Sequence, residues 1–281
     1  MGDAATEGPP PQTDPASERT GMAQLLLMLL RIRVLLVVRY RMNFLAQIVS
    51  MYLFFAVIFF GGQAAAGSLN GGAGALGSTL DAVIVGWFLW TMAQSAYSSL
   101  SREITQESRW GTLEQLYISS YGFGVIIAGK MLVNMLMSLC IGGMMLALML
   151  LTSGRSLALD LVTIVPLTTL ALLSVVGLGF GFAGLTLVYK RISSISQLMQ
   201  FALMGLVAAP RADVFVMNLL PLVKGSELLQ RAMRSGVRLW EFPAAELGLL
   251  TGVAVVYSLG GYGVFRYCSN VARRRGVMGH Y

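Results

Sequence analysis

Few residues in this 281-residue chain have the types and spacing that chemistry at a protein site requires. The stretch GVIIAGKM, residues 124–131, matches the G-x-x-x-x-G-K spacing of a phosphate-binding loop. Such a loop needs a Ser or Thr after the Lys to bind magnesium, and a β-strand before the first Gly. Here Met131 follows Lys130, and the stretch opens an apolar segment. We therefore reject a nucleotide-binding site in this chain.

The sequence also lacks the residue combinations that form the usual catalytic and metal-binding sites. His280 is the single histidine, and we find no carboxylate pair, Ser-His-Asp set or Cys-His cluster. Cys140 and Cys268 lie in hydrophobic segments, where cysteine behaves as a small apolar residue. The sequence thus predicts no catalytic site, no metal site and no cofactor bound by this chain itself.

The densest group of charged residues is SREITQESRWGTLEQLYISS, residues 101–120. Its charged members are Arg102, Glu103, Glu107, Arg109 and Glu114. We interpret the stretch as two short helical pieces joined near Gly111, with Thr112 as the N-cap of the second. Such a segment can lie on a membrane surface and present its charges to a soluble partner. A solvated loop is the alternative interpretation.

Polar side chains at helical spacing form a second candidate site, inside three apolar segments. They are Asn43, Gln47 and Ser50, then Thr91, Gln94 and Ser98, and finally Ser193, Gln197 and Gln200. Each set lines one face of a helix, and polar side chains in a membrane turn away from lipid. The three faces predict either a shared polar seam along which a cargo moves or ordinary hydrogen bonding between helices.

The elements that must position these residues are membrane-spanning helices. The chain is 56% hydrophobic and only 12% charged, against about 25% charged residues in soluble domains. We therefore predict an all-α integral membrane protein, and we assign its net charge of +7 to basic residues on the cytoplasmic side rather than to nucleic-acid binding. A spanning helix needs about 20 mostly apolar residues. The six candidates are 43–61, 81–100, 125–151, 161–188, 193–209 and 244–267.

The two segments before the first span are interpreted differently. Residues 1–20 are polar and Pro-rich and predict a disordered tail without a signal peptide, which leaves 21–281 as the transmembrane domain. Residues 22–44 are apolar, but Arg31 and Arg33 near the middle would each cost about 2.5–3.5 kcal/mol at the centre of a spanning helix. We predict that this segment is an interfacial helix on the cytoplasmic surface.

We predict that the segment between the fifth and sixth spans forms a re-entrant hairpin in the outer leaflet. The apolar run VFVMNLL is too short to cross, and Pro221 stops it. SELLQRAM then predicts a helix with Ser226 as its N-cap. Such a hairpin must pack against protein, and Glu227 and Arg231 are its candidate functional charges. An ordinary surface loop is the alternative.

The fourth span contains GLGFGFAG, residues 177–184. Gly177 and Gly181 there have the G-x-x-x-G spacing that lets two membrane helices approach closely. We predict that these two glycines pack against a neighbouring helix.

The charged stretch also resembles a known family. Its pattern E-x-x-x-G-T-L-E-Q-L, followed by G-K, is similar to the segment after the second span in permeases of the type-2 ATP-binding-cassette (ABC) exporter family. The matching residues are Glu107, Gly111, Thr112, Leu113, Glu114, Gln115, Leu116, Gly129 and Lys130. LPLVKGSELLQRAMRSG resembles the outer hairpin of these permeases. The chain departs from the family at Ser119-Ser120, where Pro is usual, and at Arg231, which stands one position late.

The resemblance implies a fold, a set of partners and a function. Such permeases form dimers with a second copy or a homologous permease, in the bacterial-type cell (inner) membrane among its lipids. Each half contacts one of two separate ABC ATPase subunits, which bind the ATP and magnesium. The contact would be a cytoplasmic coupling helix, here Glu103, Glu107, Arg109, Gly111, Thr112 and Glu114. The cargo implied is amphipathic or lipid-like: a drug, lipid, glycolipid or polysaccharide.

Two other classes of protein remain as alternatives at this point. An ion-coupled secondary transporter would normally show inverted repeats or charged residues at mid-span, and neither is evident in the sequence. A membrane scaffold without transport activity is the second. ATP hydrolysis that depends on this chain and a partner would separate all three.

The distribution of basic residues predicts the orientation of the chain in the membrane. Of the 20 Lys and Arg residues, 14 fall in the segments that are cytoplasmic if both termini are inside, and 6 fall outside. In a variant without Cys140 and Cys268, we expect a cysteine at Ser68 to react with an impermeant maleimide added outside intact cells. A cysteine at Gly111 should react only after the cells are opened. The reverse labelling pattern would refute this orientation.

Overall fold

The computed structural model describes residues 15–68, 73–110, 123–188, 193–208 and 215–274. Over these residues the backbone is helical apart from short turns, and none of them forms a β-strand, which confirms the predicted all-α class. The helices are α1 (Pro15–Arg39), α2 (Arg41–Ser68), α3 (Ala73–Trp110), α4 (Phe123–Ser153), α5 (Leu161–Val188), α6 (Ser193–Ala208), α7 (Phe215–Asn218), α8 (Val223–Ser235) and α9 (Ala244–Arg274).

By length and composition, five of these helices can cross a membrane, so the chain is a multi-pass membrane protein. They include Gly21–Arg39, Arg41–Ala64, Phe123–Ser153, Leu161–Val188 and Ala244–Arg274. Four of the six predicted spans lie in this set. The other two, 81–100 and 193–209, coincide with the less apolar α3 and the short α6. Since α1 is itself apolar enough to cross, its predicted place on the membrane surface stays a prediction.

Helix α3 forms the centre of the described bundle. It packs against α2, α4, α5, α6 and α8, and its side chains are largely buried from Leu80 to Ser99. Leu89 and Ala93 have no accessible surface at all, and the rings of Trp87 and Trp90 lie 4.8 Å apart within the core. A helix surrounded by protein does not need a lipid-compatible surface, which explains why the most central helix is not among the most apolar.

Helices α5 and α9 approach each other so closely that their backbones are in contact. A Cβ atom on Gly261 would overlap the Gly177 carbonyl oxygen, and one on Gly177 would overlap the Tyr257 carbonyl oxygen. Further along, a Cβ on Gly184 would lie 2.9 Å from the Cα of Phe265. Only hydrogen fits at these three glycine positions, and the two backbones touch as a result.

This contact corrects one prediction. Gly177 packs closely as expected, but a Cβ on Gly181 would meet nothing within 4 Å. The contact face runs instead through Gly177 and Gly184, which are two helical turns apart. The G-x-x-x-G spacing thus correctly identified α5 as a closely packed helix, but it identified only Gly177 of the two glycines that contact α9.

The charged stretch also differs from its prediction. Helix α3 continues without a break to Trp110, so residues 101–110 are the end of a 38-residue helix and not a separate short piece. The predicted bend at Gly111, the Thr112 cap and Glu114 lie outside the described residues.

In the segment before the last helix, the predicted helix forms, but its predicted cap is wrong. Pro221 is buried in the turn between α7 and α8, and α8 begins at Val223 after Leu222, whose φ is +69°. Ser226 therefore lies inside α8, where its hydroxyl donates to the Val207 carbonyl oxygen on α6 at 2.9 Å. That hydrogen bond fixes α8 to α6, while Gly225 packs directly on Ala171 of α5.

The glycine contact predicts a selective loss of stability. In Gly177→Val, the new side chain overlaps the backbone of α9, and overpacking of this kind costs about 1–3 kcal/mol. We expect the apparent Tm in detergent to fall by roughly 2–12 °C. Gly181→Val makes the same change one turn later in open space and should leave Tm almost unchanged. Equal losses in both variants would show that the helix tolerates valine poorly and that the contact is unimportant.

Candidate functional site

Charged side chains converge where α3 ends and α4 begins, which we call the charged end. Lys130 Nζ donates to Glu107 Oε1 at 2.7 Å, and Asn134 Nδ2 donates to Glu103 Oε1 at 3.0 Å. Arg33 Nη1 on α1 lies 3.2 Å from the same Glu103 oxygen. The two carboxylates are one turn apart on α3, and their partners are one turn apart on the antiparallel α4. The pairs therefore tie α1, α3 and α4 together.

These contacts show how the predicted coupling residues are used within the chain. Glu103 and Glu107 point into the bundle, with 20% and 22% of their side-chain surfaces exposed. Arg109, Gly111, Thr112 and Glu114 are not among the residues whose side chains the structure describes. The carboxylates of α3 thus hold its charged extension in place.

A polar cavity of about 490 Å³ opens beside this cluster, between α1, α2, α3 and α4. Asn43, Gln47, Ser95, Ser99 and Asn134 contribute amide and hydroxyl groups to its wall. A smaller cavity of about 20 Å³ between α2, α3 and α4 shares Phe44, Gln47, Ser95 and Ile141 with it and reaches Thr91. Together the two cavities extend from the charged end to the middle of α3, polar at the wide end and mostly apolar at the narrow end, and we call them the polar track.

Of the residues predicted to line a polar seam, Asn43, Gln47 and Thr91 lie along this track. Ser98 instead donates to the Gln94 carbonyl oxygen within α3, at 2.8 Å, and neither of these two residues lines the cavities. Two predicted faces meet, but on α3 the track follows a different row of residues.

On α3 the hydroxyl groups along the cavities belong to Thr91, Ser95 and Ser99. The sequence analysis did not identify this row of residues. Ser95 also accepts a hydrogen bond from Ser138 on α4, with 3.1 Å between the hydroxyl oxygens. The i, i+4, i+8 spacing of this row is as regular as that of Thr91, Gln94 and Ser98, so the signal was present in the sequence. Asn134 and Ser138 likewise stand one turn apart on α4 and could have been found by the same criterion.

The polar residues of α6 lie elsewhere. Gln197 is exposed, and Gln200 contacts α3 through its backbone, whose oxygen lies 3.4 Å from the Trp90 indole nitrogen. Ser50 on α2 is exposed as well. None of the three lines the polar track, so within one chain these side chains are not brought together with Asn43 and Gln47.

The hairpin segment holds a balanced network of four charges. Lys224 Nζ lies 2.9 Å from Glu227 and 3.8 Å from Glu246, and Arg231 Nη1 lies 3.5 Å from Glu227 and 2.7 Å from Glu246. Only 8% of Lys224 is exposed, so its charge depends on these partners. Glu227 and Arg231, the candidate functional charges of the hairpin, both belong to this network. Glu246, on the first turn of α9, was not predicted and joins the hairpin to that helix.

The charges at the polar cavity are not balanced in the same way. Arg102 donates to the Ser98 hydroxyl at 2.6 Å, and no carboxylate lies within 4 Å of it in the described part of the chain. Burial lowers the pKa of Arg102, and the nearby charge of Arg33 lowers it further, while Glu103 acts in the opposite direction. More than a third of Arg102 still faces open space, because the cavity is wide at this point.

Comparisons of the chain with protein-family models, with curated proteins and with solved structures found no match.

The hairpin network predicts a measurable effect of removing one carboxylate. In Glu246→Gln, Lys224 and Arg231 must share Glu227 alone. Breaking a fully buried pair costs about 3–5 kcal/mol, and the partial exposure of these groups reduces our expectation to about 1–3 kcal/mol. The measurement is the free energy of unfolding in mixed detergent, followed by tryptophan fluorescence. Glu241→Gln, at an exposed carboxylate nearby, is the control: its side chain accepts the Arg238 N–H at 2.9 Å, and a glutamine oxygen can still do so. It should cost less than about 0.5 kcal/mol; equal losses would contradict the network.

Proposed function

We propose that this chain is the membrane-spanning permease subunit of an ATP-driven exporter, powered by a separate ATPase that docks at the charged end. One observation carries the proposal. The charged extension of α3 is braced against α1 and α4 by Glu103 and Glu107. It leads directly into residues 111–117, which hold most of the motif that resembles the ABC permease coupling segment.

The bracing matters because a docking element has to transmit force. A flexible loop would absorb the movement of an ATPase, whereas a helix fixed to two neighbours passes the movement into the bundle. Since Glu107 is already paired with Lys130, its role in this proposal is to hold the extension. Docking itself falls to the following segment, with Arg109, Gly111, Thr112 and Glu114 as its contact residues.

The remaining parts of the proposal follow the same assignment. Two permease copies, or this chain and a homologue, would pair in a bacterial-type cell membrane with both termini and the charged end in the cytoplasm. The partner ATPases would bind ATP and magnesium. A track that is polar at its wide end and mostly apolar at its narrow end suits a cargo with a polar head and an apolar body. The proposed cargo is therefore amphipathic or lipid-like.

The placement of acidic residues disfavours the ion-coupled alternative. Coupling to protons or sodium ions normally uses ionisable residues near the middle of a span. In the six predicted spans the acidic residues are Asp81 and Glu246, and both stand at the first turn. Asp81 faces Arg155 at 3.5 Å, and Glu246 belongs to the hairpin network. Each of these carboxylates therefore has a basic partner and stands near the start of its predicted span.

The first test of docking is Glu114→Ala. Removing one member of a buried interfacial charge pair costs about 2–5 kcal/mol, so we expect at least a tenfold loss of the ATPase that co-purifies from native membranes. ATP hydrolysis per permease should fall in parallel. Glu241→Ala, at an exposed site in the hairpin region, is the matched control. Unchanged assembly and hydrolysis in both Glu114→Ala and Gly111→Val would remove the docking assignment.

A charge exchange separates bracing from docking. Glu107→Lys and Lys130→Glu each place like charges together and should uncouple ATP hydrolysis from the permease. The double variant restores an opposite pair at the same two positions and should recover most of the activity. If Glu107 contacts the ATPase instead, the double variant will remain as defective as Glu107→Lys alone. Transport that persists without ATP would point to the ion-coupled class.

A further inference from the structure

The polar cavity at the charged end has a positively charged lining. Two guanidinium groups, those of Arg33 and Arg102, line it, and no carboxylate does so among the described residues. Glu103 contacts Arg33 from behind the cavity wall. Two positive charges and one negative charge therefore meet here, and one positive charge is left over.

The hydrogen-bond donors of Arg102 also favour a negatively charged ligand in this cavity. A guanidinium group carries five N–H donors, and among the described residues the contact of Arg102 is one bond to the Ser98 hydroxyl. Arg33 is close enough to lower the pKa of Arg102, so the two groups repel each other across the cavity. An anion between them would relieve this repulsion and accept the remaining donors.

Among common anions, phosphate matches these two groups best. Arginine binds phosphate oxygens through pairs of parallel N–H donors, with better geometry than a lysine provides. Tyr40, Asn43 and Ser99 add further hydroxyl and amide groups around the same space. The volume of about 490 Å³ falls within the range of about 300–1,000 Å³ that is usual for small-ligand sites.

The apolar part of the cavity wall indicates that the ligand can also carry an apolar chain. Leu36, Val37 and Met137 line the cavity beside the arginines, and Leu36 and Tyr40 are exposed on the outer surface of the bundle. A molecule whose anionic head enters the cavity could therefore leave an apolar chain against this surface.

We propose that this cavity binds a phosphate-bearing anionic group, held between Arg33 and Arg102. The group can come from a phospholipid headgroup or from free phosphate, and the test below separates the two sources. The site requires no ATPase and no transport activity, so it stands or falls independently of the exporter function.

The binding experiment uses the full-length purified chain in a non-ionic detergent. Phosphatidylglycerol is titrated in, with zwitterionic phosphatidylcholine, whose headgroup carries a phosphate but no net charge, as the control, and bound lipid is counted by native mass spectrometry. Arg102→Gln should weaken phosphatidylglycerol binding at least tenfold. Arg31→Gln removes an exposed arginine from α1 that does not line the cavity, and it should change binding less than twofold.

A variant with the opposite expected sign guards against simple loss of structure. Glu103→Gln removes the one carboxylate behind the arginines and keeps an acceptor for Asn134. Anion binding should become several-fold tighter in this variant, which a misfolded protein cannot imitate.

Inorganic phosphate, added as a competitor, identifies the source of the group. If phosphate alone binds as tightly as the lipid, with the same dependence on Arg102, the cavity is a site for the free anion. If the lipid binds at least tenfold tighter than phosphate, the site is for a headgroup. Equal effects of Arg102→Gln and Arg31→Gln, or weaker binding in Glu103→Gln, would overturn the proposal.

Discussion

Lipid offers no hydrogen-bonding partner to a side chain, and a buried polar group left unpaired costs several kcal/mol. The arrangement of this bundle depends on that constraint. The helix with the most polar groups, α3, lies at the centre, where other helices replace the lipid. Two of its hydroxyls are paired within the helix, where Thr91 donates to the Phe88 carbonyl oxygen at 2.9 Å and Ser99 to the Ala96 carbonyl oxygen at 3.2 Å. The buried Trp87 Nε1 and Gln94 Oε1 have no hydrogen-bond partner among the described residues. The more apolar helices can then surround α3 and face the membrane.

The same constraint explains how far the sequence predicted the fold. Apolar runs identify helices that touch lipid, and the predicted fourth span, 161–188, coincides with α5 from end to end. The apolar runs do not show which face of a helix packs against its neighbouring helix. Gly181 and Gly184 are both plausible contact glycines, as Gln94 and Ser95 are both plausible seam residues, until the position of the adjacent helix is known. Choices of this kind depend on residues distant in the sequence.

The two charged clusters differ in their charge balance, which indicates a structural role for the one and a binding role for the other. In the hairpin, two basic and two acidic residues neutralise each other, and the network closes on itself around the buried Lys224. At the charged end, Glu107 and Lys130 are matched, but beside the open cavity only Arg33 has a carboxylate partner, Glu103, while Arg102 has none within 4 Å among the described residues. Composition could not reveal this difference, because the sequence shows charges without their partners. Ser226 is a similar case, since its hydroxyl is used by α6 and not by the start of its own helix.

The uninterrupted length of α3 has a mechanical consequence. With 38 residues the helix is about 57 Å long, and it carries an ion pair near each end, Asp81 with Arg155 and Glu107 with Lys130. Its midpoint lies near Met92, whose side chain occupies the space that Gly142 leaves on α4. If α3 tilted as a rigid rod about this contact, a tilt of about 10° would move its two ends by about 5 Å in opposite directions. A bulkier residue at 142 would then shift the pivot and change the ratio of the two displacements.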